Sequence, residues 1–168
     1  IAAGGRLYSD TMPRTIANAV TLGGDMIFSG GSLLTLNGAL TFSQAGTYNF
    51  NVTDADATLG IGTPLTGGIE RSLVKIGAGT LLLSGTNNYQ GATFVNAGVL
   101  QLDYTNPLQL LTGSLYVNAG GTLDLKGYSS VVPSVLFAGG SVSNGTLLTN
   151  DANFYAQSGY LSVNLAGD

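Results

Sequence analysis

The stretch LVKIGAGTLLLSGTNNYQGATFVNAGVLQL, Leu73–Leu102, decides the fold. Gly77, Gly79, Gly85, Gly91 and Gly98 punctuate it every few residues. Between them lie short runs of strand-forming residues: Leu81–Leu83, Thr93–Val95 and Val99–Leu102. No run is long enough for a helix, and no charge falls between Lys75 and Asp103. Short strands joined by tight turns at this density predict a coil of parallel strands, each turn stacked on the next.

The pattern extends outward in both directions. Gly79-Thr-Leu81, Gly98-Val-Leu100, Gly121-Thr-Leu123 and Gly145-Thr-Leu147 repeat one strand start at offsets of 19, 23 and 24 residues. A three-sided coil with strands of ~5 residues and short turns needs about this length per circuit. The sequence VNAG occurs at Val95–Gly98 and again at Val117–Gly120, 22 residues on, each time after an aromatic, Phe94 or Tyr116. This predicts that Asn96 and Asn118 stack at one corner of neighbouring circuits. Asn tolerates the left-handed backbone of a tight corner, and its amide can pair with the Asn above.

Period-2 alternation marks Leu34–Leu36, Leu40–Phe42, Tyr48–Val52 and Leu123–Leu125 as strands with one apolar face. The same odd-even rule points Leu81, Leu83, Val95, Leu100, Leu102, Val117, Leu123 and Leu125 inward. Pro13, Pro64, Pro107 and Pro133 fall between strand-like runs, as expected of a residue that cannot donate to a ladder. The N-terminal third, with Thr15–Leu22 and then strands at Gly-Gly and Asn-Gly corners, is less regular. Asp54–Gly68 is the least repetitive part and reads as a longer excursion leading into the repeat.

The Leu73–Leu102 segment resembles the autotransporter-associated β-strand repeat, roughly L-x-K-x-G-x-G-x-L-x-L-S-G-x-N-x-Y-x-G-x-T-x-V-x-x-G-x-L. Lys75, Gly77, Gly79, Leu81, Leu83, Ser84, Gly85, Asn87, Tyr89, Gly91, Thr93, Val95, Gly98 and Leu100 all sit where that repeat expects their like. Thr15–Gly24 upstream and Leu115–Gly127 downstream look like what flanks such repeats. The resemblance implies the passenger region of a bacterial outer-membrane autotransporter or a similar large surface protein. It implies a right-handed parallel β-helix, a location at the cell surface, and a structural element that aids passage there. It carries over no catalytic residue. The C-terminal barrel of a full autotransporter is not in this sequence.

Composition narrows the function. Charged residues make up 8% of the 168, against roughly 25% in an ordinary soluble domain. Five cations cannot neutralise a phosphate backbone, and a pI near 4.3 also argues against nucleic acid. Cysteine is absent, which suits a chain that crosses the periplasm unfolded, where a disulfide would lock a loop. Histidine, the commonest general base and metal ligand, is absent as well. No segment reads as a membrane span or a signal peptide. Starting at IAAGG and stopping at NLAGD, the chain reads as a fragment of something larger.

Few residues could carry chemistry. Asp54 and Asp56, two apart, would share one face of a strand at ~7 Å, a separation that can serve glycan hydrolysis. No cation or His is near in sequence to tune them, so a solvated loop pair is the better reading. Asp103 and Asp124 belong to adjacent circuits, but the alignment sets Asp124 over Gln101, leaving ordinary outward polar groups. Gly23-Gly24-Asp25 is only a fragment of the calcium nonapeptide pattern. Gly77-Ala78-Gly79 lacks the GK[ST] and helix of a phosphate loop. The Asn51-Val-Thr53 and Asn144-Gly-Thr146 sequons read as accidental in an exported bacterial protein. Of the eight tyrosines, several should stack inside or cover corners, Tyr89 among them.

The sequence therefore predicts an all-β, single-stranded right-handed parallel β-helix over residues 1–168, with about seven or eight circuits and a length of ~35 Å. No catalytic, cofactor-binding or metal site is expected. The expected role is a stalk or passenger segment at the bacterial surface, supporting export and adhesion, with surface glycans or proteins as partners and no direct membrane insertion. A self-assembling filament or matrix protein is the alternative, and a β-helical polysaccharide lyase or glycosidase the less favoured one. A continuous apolar stripe on the outside would favour assembly; a groove lined with carboxylates would favour the enzyme.

Overall fold

The computed structural model describes residues 1–66, 68, 70–103, 109–110, 113–149 and 154–167. Nineteen strands run through them, with no helix among the described residues. Every strand pairing is parallel. Circuit 1 comprises β1 (Gly5–Ser9), β2 (Arg14–Ile16) and β3 (Val20–Leu22); circuit 2, β4 (Met26–Gly30), β5 (Leu33–Leu36) and β6 (Leu40–Phe42). Circuit 3 comprises β7 (Gly46–Val52), β8 (Thr58–Ile61) and β9 (Leu65–Thr66), and circuit 4 holds β10 (Arg71–Ile76) and β11 (Thr80–Ser84). Circuit 5 has β12 (Thr93–Val95), β13 (Gly98–Asp103) and β14 (Gln109–Leu110); circuit 6 has β15 (Leu115–Asn118), β16 (Gly121–Asp124) and β17 (Ser129–Val132). Circuits 7 and 8 are single bent strands, β18 (Val135–Thr149) and β19 (Phe154–Gly167), that pass along all three sides.

The first side is the ladder β1-β4-β7-β10-β12-β15-β18, extended by β19; the second is β2-β5-β8-β11-β13-β16-β18. On the third, β3-β6-β9 form one ladder, while β14, β17, β18 and β19 form another. The chain is thus a three-sided parallel β-solenoid, as predicted. Eight passes at ~4.8 Å per step span ~34 Å.

Period-2 burial gives the solenoid its core. Leu34, Leu59, Leu81, Leu100, Leu123 and Val142 stack in one column of the second side, one residue per circuit. All are at most 4% exposed. The eight residues predicted to face inward are all buried, at 0–1%. A one-residue slip would turn each column inside out, so this apolar set fixes the register.

Glycine sits where neighbouring corners approach most closely. Gly98 has φ +63°, and a Cβ there would strike the carbonyl oxygens of Gly77 and Gly79 in the circuit below. Gly77 has φ +78°, and a Cβ on it would strike the Val52 carbonyl. Both positions need the left-handed backbone and the missing side chain together.

Two readings of the sequence are corrected. Asp54–Gly68 is no excursion, because β8 and β9 within it take the regular positions beside β5 and β6. Its sequence lacks the Gly-x-Leu start, yet Leu59, Ile61 and Leu65 supply the inward side chains. Gly145-Thr-Leu147 is not in column with Gly121-Thr-Leu123. Leu123 lies beside Val142, and Leu147 beside Ser130 on the third side. Circuit 7 turns on Asn144, at φ 57°, without a loop, so it reaches the third side several residues early. The less regular N-terminal third follows the same three sides as the rest. Pro13, Pro64 and Pro133 lie between strands, and Pro107 lies outside the described residues.

Candidate functional site

Polar residues are rare inside this solenoid, and four that are buried belong to the stretch that decided the fold. Lys75 and Thr93 are 0% exposed, Tyr89 1% and Asn87 5%. Lys75 occupies an inward column between Phe50 and Val95. Its stem fills core volume while its head reaches the corner after β10. There Nζ donates to the carbonyls of Ile76 at 2.8 Å, Gly77 at 2.8 Å and Ala97 at 3.0 Å. Three donors meet three acceptors, two in its own circuit and one in the next. No carboxylate takes part, and burial pushes the Lys75 amine down to about 8 from 10.5.

Asn87 substitutes for backbone where the third side of circuit 4 has no strand. Its Oδ1 accepts from the Leu65 N–H at 2.9 Å, and its Nδ2 donates to the Gly85 carbonyl at 3.1 Å. The Tyr89 hydroxyl lies 2.7 Å from the Thr93 hydroxyl, linking circuits 4 and 5. Its ring packs edge-on against Phe42 at 6.4 Å, and Phe42 in turn contacts Tyr48 at 4.4 Å. Burial pushes the Tyr89 phenol up to about 12, with the Thr93 hydrogen bond a smaller downward pull.

These two shifts give a pH prediction. Between about pH 8 and 10.5 an unfolded chain holds a proton on Lys75 that the folded chain has released, so stability should rise with pH there. From about pH 10 to 12 unfolded Tyr89 ionises while the buried phenol stays neutral, so stability should fall. Urea midpoints measured across this range should pass through a maximum near pH 10. Lys75→Met should flatten the rising limb and Tyr89→Phe the falling one. A level profile in the parent would contradict the buried placements.

The corner after β12 carries the expected asparagine pair, Asn118 Nδ2 donating to Asn96 Oδ1 at 2.7 Å, but the left-handed backbone falls on Gly98 and Gly120, at φ +63° and +87°, and not on the asparagines, because glycine takes it without a Cβ clash. The aromatics before them, Phe94 and Tyr116, stack face to face at 4.6 Å with 11° between planes. Both point outward, in a column that reads Asn49, Val74, Phe94, Tyr116, Leu136, Tyr155. From Val74 on, this outer column is apolar or aromatic over five circuits.

The acidic candidates do not assemble. Asp54 and Asp56 lie in a turn, not on one face of a strand, because the Ala57 N–H closes back on the Asp54 carbonyl at 3.0 Å. Asp54 Oδ2 instead accepts from the Gly30 N–H at 2.7 Å. Asp124 lies over Gln101, as the alignment set it, and accepts from Gln101 Nε2 at 2.8 Å and Asn144 Nδ2 at 3.0 Å. Burial alone would raise its carboxyl; these hydrogen bonds and the Lys126 N–H hold it below the usual value. Asp103 pairs with Lys126 at 2.8 Å, and Asp25 accepts from the Asn49 backbone and side chain. Gly77-Ala-Gly79 is a tight solenoid corner. Asn51 lies within β7, and Asn144 is a corner residue.

Residues 73–102 match the family model described as the passenger-associated-transport-repeat. This stretch is an autotransporter passenger repeat. Over 142 residues, 84% of the chain, the sequence is 36% identical to the adhesin BmaC autotransporter of Brucella suis biovar 1 (strain 1330). The chain spans about 4% of the length of that relative. No solved structure matches. Within the passenger repeat most motif residues serve the packing of the coil, while Ser84 lies on its outer face. Glycines form the corners and leucines fill the core, while Lys75, Asn87, Tyr89 and Thr93 are hydrogen-bonded posts between circuits 3, 4 and 5. The inward placement of Lys75 was open to sequence reasoning, since it lies two residues after inward Leu73.

Proposed function

We propose that this chain is a length of a surface-displayed bacterial passenger, a stalk whose stacked circuits hold adhesive contacts away from the cell and whose folding supports export. The observation that carries this reading is that four polar residues of the passenger repeat, Lys75, Asn87, Tyr89 and Thr93, are buried and spent on contacts between circuits. The relative bears the name adhesin, and passenger repeats belong to proteins exposed outside the cell. Surface glycans or proteins are the proposed partners. The test is made in the full-length protein. Tyr89→Ala, which removes an internal post, should lower the amount displayed on intact cells, measured with an antibody to the passenger. Display at the parent level would count against a folding-assisted role for the repeat.

The role is non-enzymatic in this reading. Purified chain incubated with acidic and neutral polysaccharides should release no new reducing ends or unsaturated products. Cleavage abolished by Asp54→Asn with Asp56→Asn would replace the stalk by an enzyme.

A second reading has its own observation. The outer column Phe94, Tyr116, Leu136 and Tyr155 is the apolar stripe that side-by-side assembly would use, with Tyr155 51% exposed, while Val74 at its foot is covered, at 8%. If it works so, sedimentation velocity should show concentration-dependent association that Tyr116→Ser with Leu136→Ser removes. A monomer at all concentrations would exclude it.

A further inference from the structure

A solenoid is held together by the interfaces between successive circuits, and those interfaces need not be equal. Opening an apolar interface exposes stacked side chains to water and is opposed by the hydrophobic effect. Opening a polar one returns buried groups to water, which repays part of that loss.

Of the interfaces the passenger repeat touches, the one between circuits 4 and 5 carries the most buried polar contacts; interface 3/4 has Lys75 beside Phe50 and the Asn87–Leu65 hydrogen bond. On the first side of interface 4/5 Lys75 lies beside Val95 and Leu73 beside Thr93, so both inward columns are mixed. Tyr89 and Thr93 meet there through their hydroxyls, and the Lys75 ammonium finds its third acceptor, the Ala97 carbonyl, across the same gap. On opening, all three groups would be taken up by water. Interface 5/6 differs. Its inward columns set Thr93 on Leu115, Val95 on Val117 and Leu100 on Leu123, so one is mixed, but its outer surface is tied by the Asn96–Asn118 hydrogen bond, the Phe94–Tyr116 stack, the Gln101–Asp124 hydrogen bond and the Asp103–Lys126 ion pair. The second side of interface 4/5 stays apolar, with Leu81 on Leu100 and Leu83 on Leu102, and this contact keeps the interface closed in the native state. An inward charge also protects an open end. Apolar sheet edges pair with other chains, and inward-pointing charges are one of the ways native proteins prevent this.

We propose that the junction between circuits 4 and 5 is a hydratable seam, at which the solenoid parts into two blocks, circuits 1–4 and circuits 5–8, before either block unfolds. The passenger repeat spans that seam, with Lys75 on one lip and Thr93 on the other.

Circuit 5 contains its own control. Its Asn96 and Val99 amides donate down to Lys75 and Gly79 of circuit 4, while its Thr93 and Gly98 amides donate up to Ser114 and Gly120 of circuit 6. Native-state hydrogen exchange by NMR on the whole chain, in urea below the transition, compares the two sets. After correction for intrinsic rates, Asn96 and Val99 should exchange at least about tenfold faster than Thr93 and Gly98. Lys75→Met replaces the ammonium with an apolar chain of similar length and should bring the two sets together. If Lys75→Met does not fold, Thr93→Val makes the same comparison from the other lip. Equal protection of both sets in the parent overturns the seam, as does a difference that survives the substitutions.

Discussion

Leu100→Asp should remove the cooperative thermal transition of this chain under conditions where the parent is folded. Leu100 is 0% exposed and lies in column between Leu81 and Leu123. The new carboxylate would sit in the centre of the solenoid among leucines, with no cation to pair. Burying an unpaired charge belongs to the small class of substitutions that cost about 4–5 kcal/mol or more, and the loss of leucine packing adds to it. A domain stability of about 5–15 kcal/mol leaves little after such a change. Circular dichroism during heating reads the effect. Leu100→Met, which keeps volume and polarity, should cost under about 1.5 kcal/mol. Val99→Asp, one residue along and facing out, should cost under about 1 kcal/mol. If Leu100→Asp melted within a degree or so of the parent, the inward column would be wrongly assigned.

Tyr89→Ala should be nearly as damaging by a different route. The ring is buried against Phe42, and its hydroxyl holds Thr93. Truncating a buried aromatic to Ala costs about 3–5 kcal/mol, because the lost contacts leave a cavity the neighbours fill only in part. Phe42 is fixed by Tyr48 and Phe50, so collapse into the space is restricted. Tyr89→Phe keeps the ring and removes one hydrogen bond, which should cost about 1–2 kcal/mol. The pair separates packing from hydrogen bonding in one series of urea melts. A Tyr89→Ala variant within about 1 kcal/mol of the parent would mean that the aromatic cluster is looser than its geometry suggests.

The repeat period, the inward leucines and the asparagine corner were legible because each leaves a periodic trace. Alternation at period 2 fixes which side chains are buried, and a 22-residue echo of VNAG fixes one corner. The register of circuit 7 was not legible. Gly145-Thr-Leu147 copies a strand start, but a bend without a loop at Asn144 shortens the circuit, and no residue announces a missing loop. The regularity of circuit 3 was hidden for the opposite reason. Thr58–Ile61 and Leu65–Thr66 supply the right volumes without the Gly-x-Leu signature. The polar posts were half legible. Their residues stood out in the repeat, and Lys75 followed inward Leu73, but composition gives no hint that three backbone carbonyls converge on a lysine. That depends on how two corners stack, which is a property of neighbouring circuits rather than of either segment.

All the strand pairings described above run along the long axis of the coil, and this governs how it bears load. A pull across the axis loads many backbone hydrogen bonds in parallel. A pull along it loads the interfaces in series, so the seam between circuits 4 and 5 yields first and the circuits of each block then peel in sequence. Each circuit holds about 17–25 residues by register, from Val132↔Thr149 at the short end to Phe50↔Lys75 at the long. Drawn out at ~3.4 Å per residue, the ~17–25 residues of one peeled circuit span ~58–85 Å, while the coil shortens by ~4.8 Å. A solenoid built this way gives ground in discrete steps and rewinds when slack, a compliant line rather than a rigid rod.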